Sequence, residues 1–247
     1  MYPLYKEADY RQIMTLKRPA SYTRADLEHW FLQHAQRMSK LPGLKWYTVL
    51  FTVEGSPFGA PPFDAYEDIW FGSLANLQAA YQSATMQREL EELRARKLDE
   101  PARFQAAWMR ENIVTMKGYD SIPAKDSVRL VGICTKPPKM SRQALKDWFY
   151  QHAARVIDRE GRMIIPGIRW YTHSFLIDES PYKPHRLDGC AENWWDTLEE
   201  MKRDFEGEVM KSQLRDREEN IDVVDPSYFQ GAWAEEHIIP VPTGGKV

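Results

Sequence analysis

The side chains best suited to chemistry are two histidines on helix-like segments of similar sequence. His34 lies in TRADLEHWFLQHA, residues 23–35, and His152 lies in SRQALKDWFYQHA, residues 141–153. In both segments the apolar residues and the histidine recur at the spacing of one helix face, which predicts each imidazole on the buried stripe. A buried imidazole can give and take a proton near neutral pH. The alternative is a hydrogen-bonded core histidine without a catalytic role.

These segments belong to an internal repeat that covers most of the chain. LPGLKWYT from Leu41 is matched by IPGIRWYT from Ile165, and DAYEDIWFGSL from Asp64 is matched by DGCAENWWDTL from Asp188. The spacing between the copies grows from 118 residues at the helix to 124 at these later segments, so the second copy carries six extra residues near 159–163. A repeat decides the architecture before any single element does. We therefore divide the chain into domains of residues 1–118 and 119–247.

Each copy predicts the same order of secondary structure. A short strand, a capped helix, a Pro-Gly turn and a long strand are followed by a Pro-rich loop, a third strand, two helical stretches and a last strand. The predicted strands are 12–17, 44–53, one from Ala65 and one from near Trp108 in the first copy, and 128–135, 168–177, one from Gly189 and one from near Trp233 in the second. This βαββαβ order with one added helix is typical of a ferredoxin-like α+β unit. Residues 116–126 are predicted to join two such units, whose sheets pack face to face.

Composition excludes several classes of function. The chain has 33 Lys and Arg against 36 Asp and Glu, a net charge of −3, so it offers no basic excess to nucleic acid. A mean hydropathy of −0.59, without a long apolar run or a secretory signal, predicts a soluble cytoplasmic protein with no membrane partner. Cys134 and Cys190 are far apart, which favours two buried thiols over a disulfide or a metal site. Neither a nucleotide-binding nor a zinc-protease motif is present.

The repeated motifs resemble the EthD family of the dimeric α/β-barrel superfamily. That family has a helix with a Trp or Phe and a His-Ala-like ending, then Pro-Gly-Leu and a Tyr, then an Asp followed by a Trp-Phe strand. Both copies carry this pattern, from about Met14 to Ile239. The resemblance implies two tandem ferredoxin-like units that form an intrachain pseudo-dimeric α/β barrel. Because the superfamily includes cofactor-free monooxygenases, polyketide cyclases and muconolactone-type isomerases, the fold alone does not select a reaction.

Within that superfamily the motifs resemble the enzyme pattern of methylmuconolactone methylisomerase. It implies functional roles for the helix histidine, here His34 and His152, and for a tyrosine on the following strand, here Tyr47 and Tyr171. The pattern also has a cysteine beside the later Trp-Phe. Residues 69 and 193 are isoleucine and asparagine at that place, which implies a different substrate.

Strand alternation favours the second copy as the working site. Tyr171 and His173 are two residues apart on a predicted strand, so their side chains face the same side. The first copy has Val49 in place of His173. We therefore expect His152 and Tyr171 to be the main catalytic pair, with His173 beside them and the cleft of the first copy degenerate. For His173 a packing role is the alternative.

Four further residues are predicted to contact substrate: Asn193, Trp148, Trp195 and Asp188. The chain contains 9 Trp, 12 Tyr and 10 Phe, an aromatic content that suggests a cavity for a flat ring. Asp188 precedes the third strand of its copy, where capping of a turn is the alternative. His185, in the Pro-rich loop, is a candidate lid residue.

The sequence leads to the hypothesis of a cofactor-independent lyase or isomerase. His152 would act as general acid and base, while Tyr171 and His173 orient or polarise a small, largely apolar substrate, for which aromatic compounds are candidates. Three alternatives stay open: a cofactor-free monooxygenase of a phenolic or polyketide-like substrate, a haem-binding barrel with a histidine ligand, and a non-catalytic carrier or sensor of aromatic ligands. The expected partners are a small molecule and, for the pseudo-dimeric chain, a second copy in a homodimer.

Overall fold

The computed structural model describes residues 6–116, 127–158, 162–184, 186–219 and 228–242. Most of the predicted linker, from 117 to 126, lies outside the described residues, and so does His185.

Within the described residues, fourteen elements follow one another in the order that the repeat predicts. The first half contains β1 (Lys6–Leu16), α1 (Arg24–Met38), β2 (Leu44–Thr52), β3 (Ala65–Phe71), α2 (Leu74–Gln82), α3 (Ala84–Ala95) and β4 (Phe104–Met116). The second half contains β5 (Val128–Cys134), α4 (Arg142–Ala154), β6 (Trp170–Leu176), β7 (Gly189–Trp195), α5 (Leu198–Glu206), α6 (Glu208–Glu219) and β8 (Phe229–Ile238). Each half is therefore a βαββαβ unit with one added helix.

Four predicted strand starts differ from the structure, and the smallest difference is at β6, which begins at Trp170 rather than at 168. β4 and β8 begin at Phe104 and Phe229, before the tryptophans where we placed their starts. β1 begins at Lys6 rather than at Gln12, because its first residues pair with the end of β4, where Lys6 lies opposite Ile113. This pairing is long-range, and local sequence patterns carry no signal for it.

The helix starts follow from local sequence. The Thr23 side chain accepts a hydrogen bond from the backbone N–H of Asp26 and so caps α1. Ser141 caps α4 in the same way through the backbone N–H of Ala144. Each cap satisfies an otherwise unpaired N–H group of the first helical turn. The helices that carry His34 and His152 therefore begin at corresponding residues.

The eight strands close into one antiparallel barrel in the order β1-β3-β2-β8-β5-β7-β6-β4. Within the halves this order reads β2-β3-β1-β4 and β6-β7-β5-β8, which is that of a ferredoxin-like sheet. The halves join where β2 pairs with β8 and where β4 pairs with β6. The chain is thus an α+β protein in which two tandem ferredoxin-like units form one pseudo-dimeric barrel, as predicted.

The interior of the barrel holds an ionic network that the sequence analysis missed. Arg11 and Arg129 occupy the same position in the two copies, and both are fully buried. Arg11 Nε donates to Asp68 at 2.8 Å, and Arg129 Nη1 donates to Glu192 at 2.9 Å and to Asp68 at 3.1 Å. Arg11 also pairs with Glu192, which lies in the other half. The network therefore ties the two halves together through buried charge.

Strand alternation places the opposite face of each sheet against the helices. In the first half the apolar face of α1, including Leu27 and Phe31, packs with Tyr47 and Phe51 of β2 in one buried cluster. Both cysteines are buried and free, as predicted. Among the described helices, none is long and apolar enough to cross a membrane.

Candidate active site

A cavity of about 80 Å³ lies between the helix-facing side of the second sheet and helices α4 and α6. Four predicted site residues line it: His152 and Trp148 from α4, Tyr171 from β6 and Asn193 from β7. The remaining lining residues are Phe58, Leu130, Gly132, Phe149, Ala191, Met210, Gln213, Leu214 and Phe229. The lining is thus mostly apolar and aromatic, and polar atoms enter at a few points, as is typical of small-molecule sites.

His152 is held against Trp148 by helix geometry. The two residues are four apart on α4, and their rings stack at 5.2 Å between centroids with an interplanar angle of 16°. In the first half Trp30 and His34 stack at 5.2 Å and 18°. Because residues four apart lie on one helix face, the repeat gives both imidazoles the same placement.

His173 lies behind Tyr171, outside the cavity lining. A hydrogen bond of 2.8 Å joins its Nε2 to the Tyr171 hydroxyl, so the two side chains share one face of β6 as predicted. His173 is fully buried, and its ring contacts Phe149 edge-on at 4.9 Å. Burial, reinforced by the nearby His152, lowers the pKa of His173 well below its ordinary value. His173 is therefore a neutral residue that is hydrogen-bonded to Tyr171.

The corresponding site of the first half is closed by two glutamates. His34 faces Glu89 through Nδ1 at 2.7 Å and Glu67 through Nε2 at 3.1 Å, and Tyr47 donates its hydroxyl to the same Glu67 oxygen. Burial by itself would lower the pKa of His34, but the two carboxylates outweigh it and raise the pKa from 6.5 to about 9. Arg37 also donates to Glu89, at 2.6 Å. His34 is thus a protonated residue of a buried ion cluster.

Three differences between the copies open the second site. Where the first half has Met14, Glu67 and Glu89, the second has glycine, alanine and glutamine at the equivalent places in β5, β7 and α6. These replacements, Gly132, Ala191 and Gln213, all line the cavity. The changes remove a large side chain and two negative charges from around the histidine.

Helices α3 and α6 carry two buried polar residues that were not among the predicted site residues. Both helices are rich in charge, a pattern typical of a solvated face, yet Glu89 and Gln213 are only 2% and 8% exposed. A position-by-position comparison of the copies could have found them. It would show glutamate in one copy and glutamine in the other, both at the sixth residue of a helix of the same length.

Two predicted substrate contacts lie elsewhere. Trp195 is fully buried and donates its indole N–H to Asp204 at 2.8 Å. Asp188 accepts from the backbone N–H of Lys136 at 2.8 Å, which is the turn-capping role given as its alternative. Neither is among the described residues that line the cavity.

Each half covers the cleft of the other with its Pro-rich loop. Phe58, from the loop of the first half, lines the cavity of the second. Tyr182, at the equivalent place in the second loop, reaches the first half, where its hydroxyl donates to Gln12 at 3.1 Å and its ring contacts Tyr81. The cavity therefore requires both halves of the chain.

The described residues of the site do not suit a metal ion or a haem. Among the described residues no group of three or more His, Cys, Asp or Glu is arranged to hold a metal ion. A cavity of about 80 Å³ is far smaller than a porphyrin. The haem alternative therefore does not fit the lining of this cavity.

Two ferredoxin-like units that close one barrel define the dimeric α/β-barrel fold, and solved structures share it. An anthrone oxidase-like protein matches with a TM-score of 0.62 at 10% identity, over 96% of this chain and 97% of its own. A protein from Fusobacterium nucleatum, provisionally named a monooxygenase, matches with a TM-score of 0.53 at 8% identity, over 100% and 98%. One of the same provisional name from Lactobacillus acidophilus gives 0.50 at 12%, over 94% of each chain.

At these identities the likeness shows the fold alone. No protein-family model and no curated protein matches the sequence.

Proposed function

We propose that the chain is an EthD-like, cofactor-independent lyase or isomerase whose reaction takes place in the cavity of the second half. The observation that carries this proposal is the contrast between two equivalent histidines. His34 is enclosed by Glu67 and Glu89, whereas His152 lines a cavity together with Tyr171. The second half thus keeps the histidine and the tyrosine and gains space for a ligand beside them.

His152 is the proposed general acid and base. A positioned imidazole can take a proton from a substrate carbon or hydroxyl and return it to another atom, a contribution of about 10²–10⁴-fold in rate. Such a transfer is the essential step of many isomerisations, eliminations and dehydrations. Stacking on Trp148 holds the ring in place for it.

Tyr171 is the proposed partner for negative charge on the substrate. His173 is joined to the Tyr171 hydroxyl through its Nε2 at 2.8 Å, and a phenol held in this way can stabilise a developing oxyanion. Asn193, on the adjacent strand β7, lies opposite Tyr171 and supplies amide donor and acceptor atoms to the same cavity. Tyr171 and Asn193 would orient the substrate while His152 moves the proton.

The cavity limits the size of the substrate. Its volume of about 80 Å³ is roughly half of the ~150 Å³ of an apolar cavity that holds a benzene ring. A short aliphatic compound fits directly, whereas an aromatic compound requires a lining side chain to move. Phe58 is the candidate to move, because it reaches the cavity from a loop of the other half.

A cofactor-free monooxygenase is the second candidate. It is favoured by the fold that the chain shares with an anthrone oxidase-like protein and with two provisionally named monooxygenases. In this case His152 would deprotonate a phenol-like substrate, and the electron-rich ring carbon of the phenolate would add O₂ to give a hydroperoxide, which loses water as a C=O bond forms and the O–O bond breaks. The same residues serve both candidates, so oxygen dependence distinguishes them.

Solvent deuterium exchange tests the proposal without knowledge of the product. The protein is incubated in D₂O with panels of short carboxylic acids, lactones and phenols, with and without oxygen, and substrate C–H signals are followed by ¹H NMR. We expect exchange or rearrangement of at least one class without oxygen. Conversion that occurs only with oxygen would favour the monooxygenase. Stoichiometric binding without any exchange would contradict both and favour a carrier.

A further inference from the structure

Gln213, on helix α6, presents a buried hydrogen-bond acceptor to the cavity of the second half. The side chain is 8% exposed and lines the cavity. Its Oε1 has no hydrogen-bond partner among the described residues. Among the described lining residues, Gln213 alone has a buried side-chain oxygen or nitrogen of this kind. The amide oxygen is therefore an acceptor placed beside the space for a ligand.

The equivalent residue of the first half has partners for both of its side-chain oxygens. Glu89 Oε1 accepts from Arg37 Nε at 2.6 Å, and Glu89 Oε2 lies 2.7 Å from His34 Nδ1. Glu89 is 2% exposed and is the sixth residue of α3, as Gln213 is of α6. The same position thus stabilises a buried ion cluster in one half and borders a cavity in the other.

An unpaired amide oxygen at the position of Gln213 costs free energy, because it has left water without gaining a hydrogen bond. An apolar side chain of similar shape would pack there without this cost. A ligand that donates a hydrogen bond to Oε1 removes the cost, whereas an analogue without a donor leaves it in place. A site built in this way discriminates between the two ligands.

The rest of the lining favours a small uncharged compound. None of the described residues that line the cavity is an Asp, Glu, Lys or Arg, and most are apolar or aromatic. Transfer of a charged group into such surroundings is costly. The volume of about 80 Å³ accepts a short apolar body. A hydroxyl group is an uncharged donor of suitable size for such a body.

We propose that Gln213 determines the substrate class of the second cavity, with its Oε1 accepting a hydrogen bond from the hydroxyl group of a small uncharged compound. Because it names the substrate class of the site described above, this inference rests on the proposed function. Gln213 orients the hydroxyl-bearing end of the substrate and takes no part in the proton transfer. Aliphatic alcohols and phenols share the required group, and the test distinguishes them.

The test compares hydroxyl compounds with analogues of similar shape that cannot donate a hydrogen bond. Butan-2-ol against butan-2-one, and phenol against fluorobenzene, are titrated into the protein while NMR follows the ligand resonances and fluorescence follows the tryptophans. We expect the hydroxyl compound of at least one pair to bind about tenfold more tightly than its analogue, as for one hydrogen bond. A preference in the first pair assigns an aliphatic hydroxyl, and a preference in the second assigns an aromatic one. Equal affinity within both pairs, or no binding of either hydroxyl compound, would overturn the proposal.

Gln213→Met locates the acceptor. Methionine has a similar length and only a weak acceptor, so we expect the preference for the hydroxyl compound to fall to about twofold or less. Gln151→Met, the same change at an exposed position on α4, is the control and should keep the preference of the wild type. A preference that persists in Gln213→Met, or that is lost equally in Gln151→Met, would contradict the assignment to Gln213.

Melting temperatures without ligand test the same oxygen independently. Gln213→Met should melt at the temperature of the wild type or above it, because the change removes no hydrogen bond of Oε1. Glu89→Met, the matched change in the first half, should lower the melting temperature, since it leaves His34 and Arg37 without their shared carboxylate. A melting temperature of Gln213→Met below that of the wild type would show that the amide stabilises the protein itself, and the proposal would fall.

The outcome is separable from that of the proposed function. If Gln213→Met keeps the preference while His152→Gln still loses solvent exchange, the assignment of Gln213 falls and the acid–base proposal stands. If the hydroxyl compounds bind through Gln213 and nothing is turned over, the binding proposal stands and the enzyme proposal falls.

Discussion

Two histidines at equivalent positions each stack on the tryptophan four residues before them. Glu67 and Glu89 raise the pKa of His34 to about 9, so its proton is a fixed part of the first half. In the second half alanine and glutamine stand at those positions, and both line the cavity with His152. At the scale of residues, two substitutions on neighbouring elements distinguish the enclosed site of His34 from the cavity that His152 lines.

The raised pKa of His34 predicts a dependence of stability on pH. A group whose pKa is higher in the folded than in the unfolded state stabilises the folded protein. This stabilisation is complete below the unfolded pKa, here 6.5, and it is lost as the pH rises through the folded pKa of about 9. The difference in free energy of unfolding between the wild type and His34→Gln should therefore shrink by about 3 kcal/mol from pH 6 to pH 9.5.

Urea denaturation of both proteins across this range measures the difference. Gln33→Ala, a change at an exposed neighbour on the same helix, serves as the control and should give a nearly constant difference. A constant difference for His34→Gln as well would mean that the buried imidazole is not protonated in the folded protein.

At the scale of elements, strand β5 creates room that β1 does not. Met14 is 3% exposed in the core of the first half, and its equivalent Gly132 lines the cavity. A Cβ atom at Gly132 would lie 2.7 Å from the ring of Phe229, so no larger side chain fits there without displacing that ring. The glycine keeps the space between sheet and helices open.

Gly132→Met should therefore close the second site. We expect it to abolish ligand binding and solvent exchange and to lower the free energy of unfolding by about 1–3 kcal/mol, the usual cost of overpacking. Leu130→Met, at another lining position on the same strand, nearly conserves volume and should keep both activities. Calorimetry for ligand binding and urea denaturation for stability check the pair; full binding by Gly132→Met would show that the ligand lies elsewhere.

Local patterns and the repeat predicted most of the elements but less of the site. Helix caps such as Thr23 and the alternation of Tyr171 and His173 are short-range features, so they could be read from the sequence. Trp195 and Asp188 are not among the described residues that line the cavity, and their partners, Asp204 and Lys136, come from other elements that local patterns do not reveal. Gln213 was missed because helix α6 reads as a charged surface helix until its neighbours are known.

At the scale of the whole molecule, the two halves form one structure. The barrel closes because β2 pairs with β8 and β4 pairs with β6. Neither sheet therefore has an unpaired edge strand at these two junctions. The buried arginines connect strands that are not neighbours, since Arg11 on β1 also donates to Ser174 on β6 at 2.8 Å. Sequence alone could not reveal this network, because it depends on which strands face each other across the barrel.

Loss of one arginine should therefore destabilise the entire chain. Arg11→Met leaves Asp68 and Glu192 buried without one of their cations, and we expect a loss of about 3–5 kcal/mol. Unfolding should remain a single transition, with fluorescence and circular dichroism changing together. Arg94→Met, which removes an exposed ion pair of 3.9 Å, is the control and should cost less than about 1 kcal/mol. Similar effects of the two changes would contradict a stabilising role for the network.

We propose that the histidine of the second half, His152, carries the reaction and that its equivalent in the first half, His34, does not. The most direct measurement compares His152→Gln with His34→Gln in the solvent-exchange assay, with melting temperatures recorded for both. We predict that His152→Gln loses about 10²-fold or more of the exchange rate at a nearly unchanged melting temperature. His34→Gln should have a lower melting temperature than the wild type, and below that temperature it should exchange substrate protons at the wild-type rate. Normal exchange by His152→Gln, or loss of exchange by folded His34→Gln, would contradict the account.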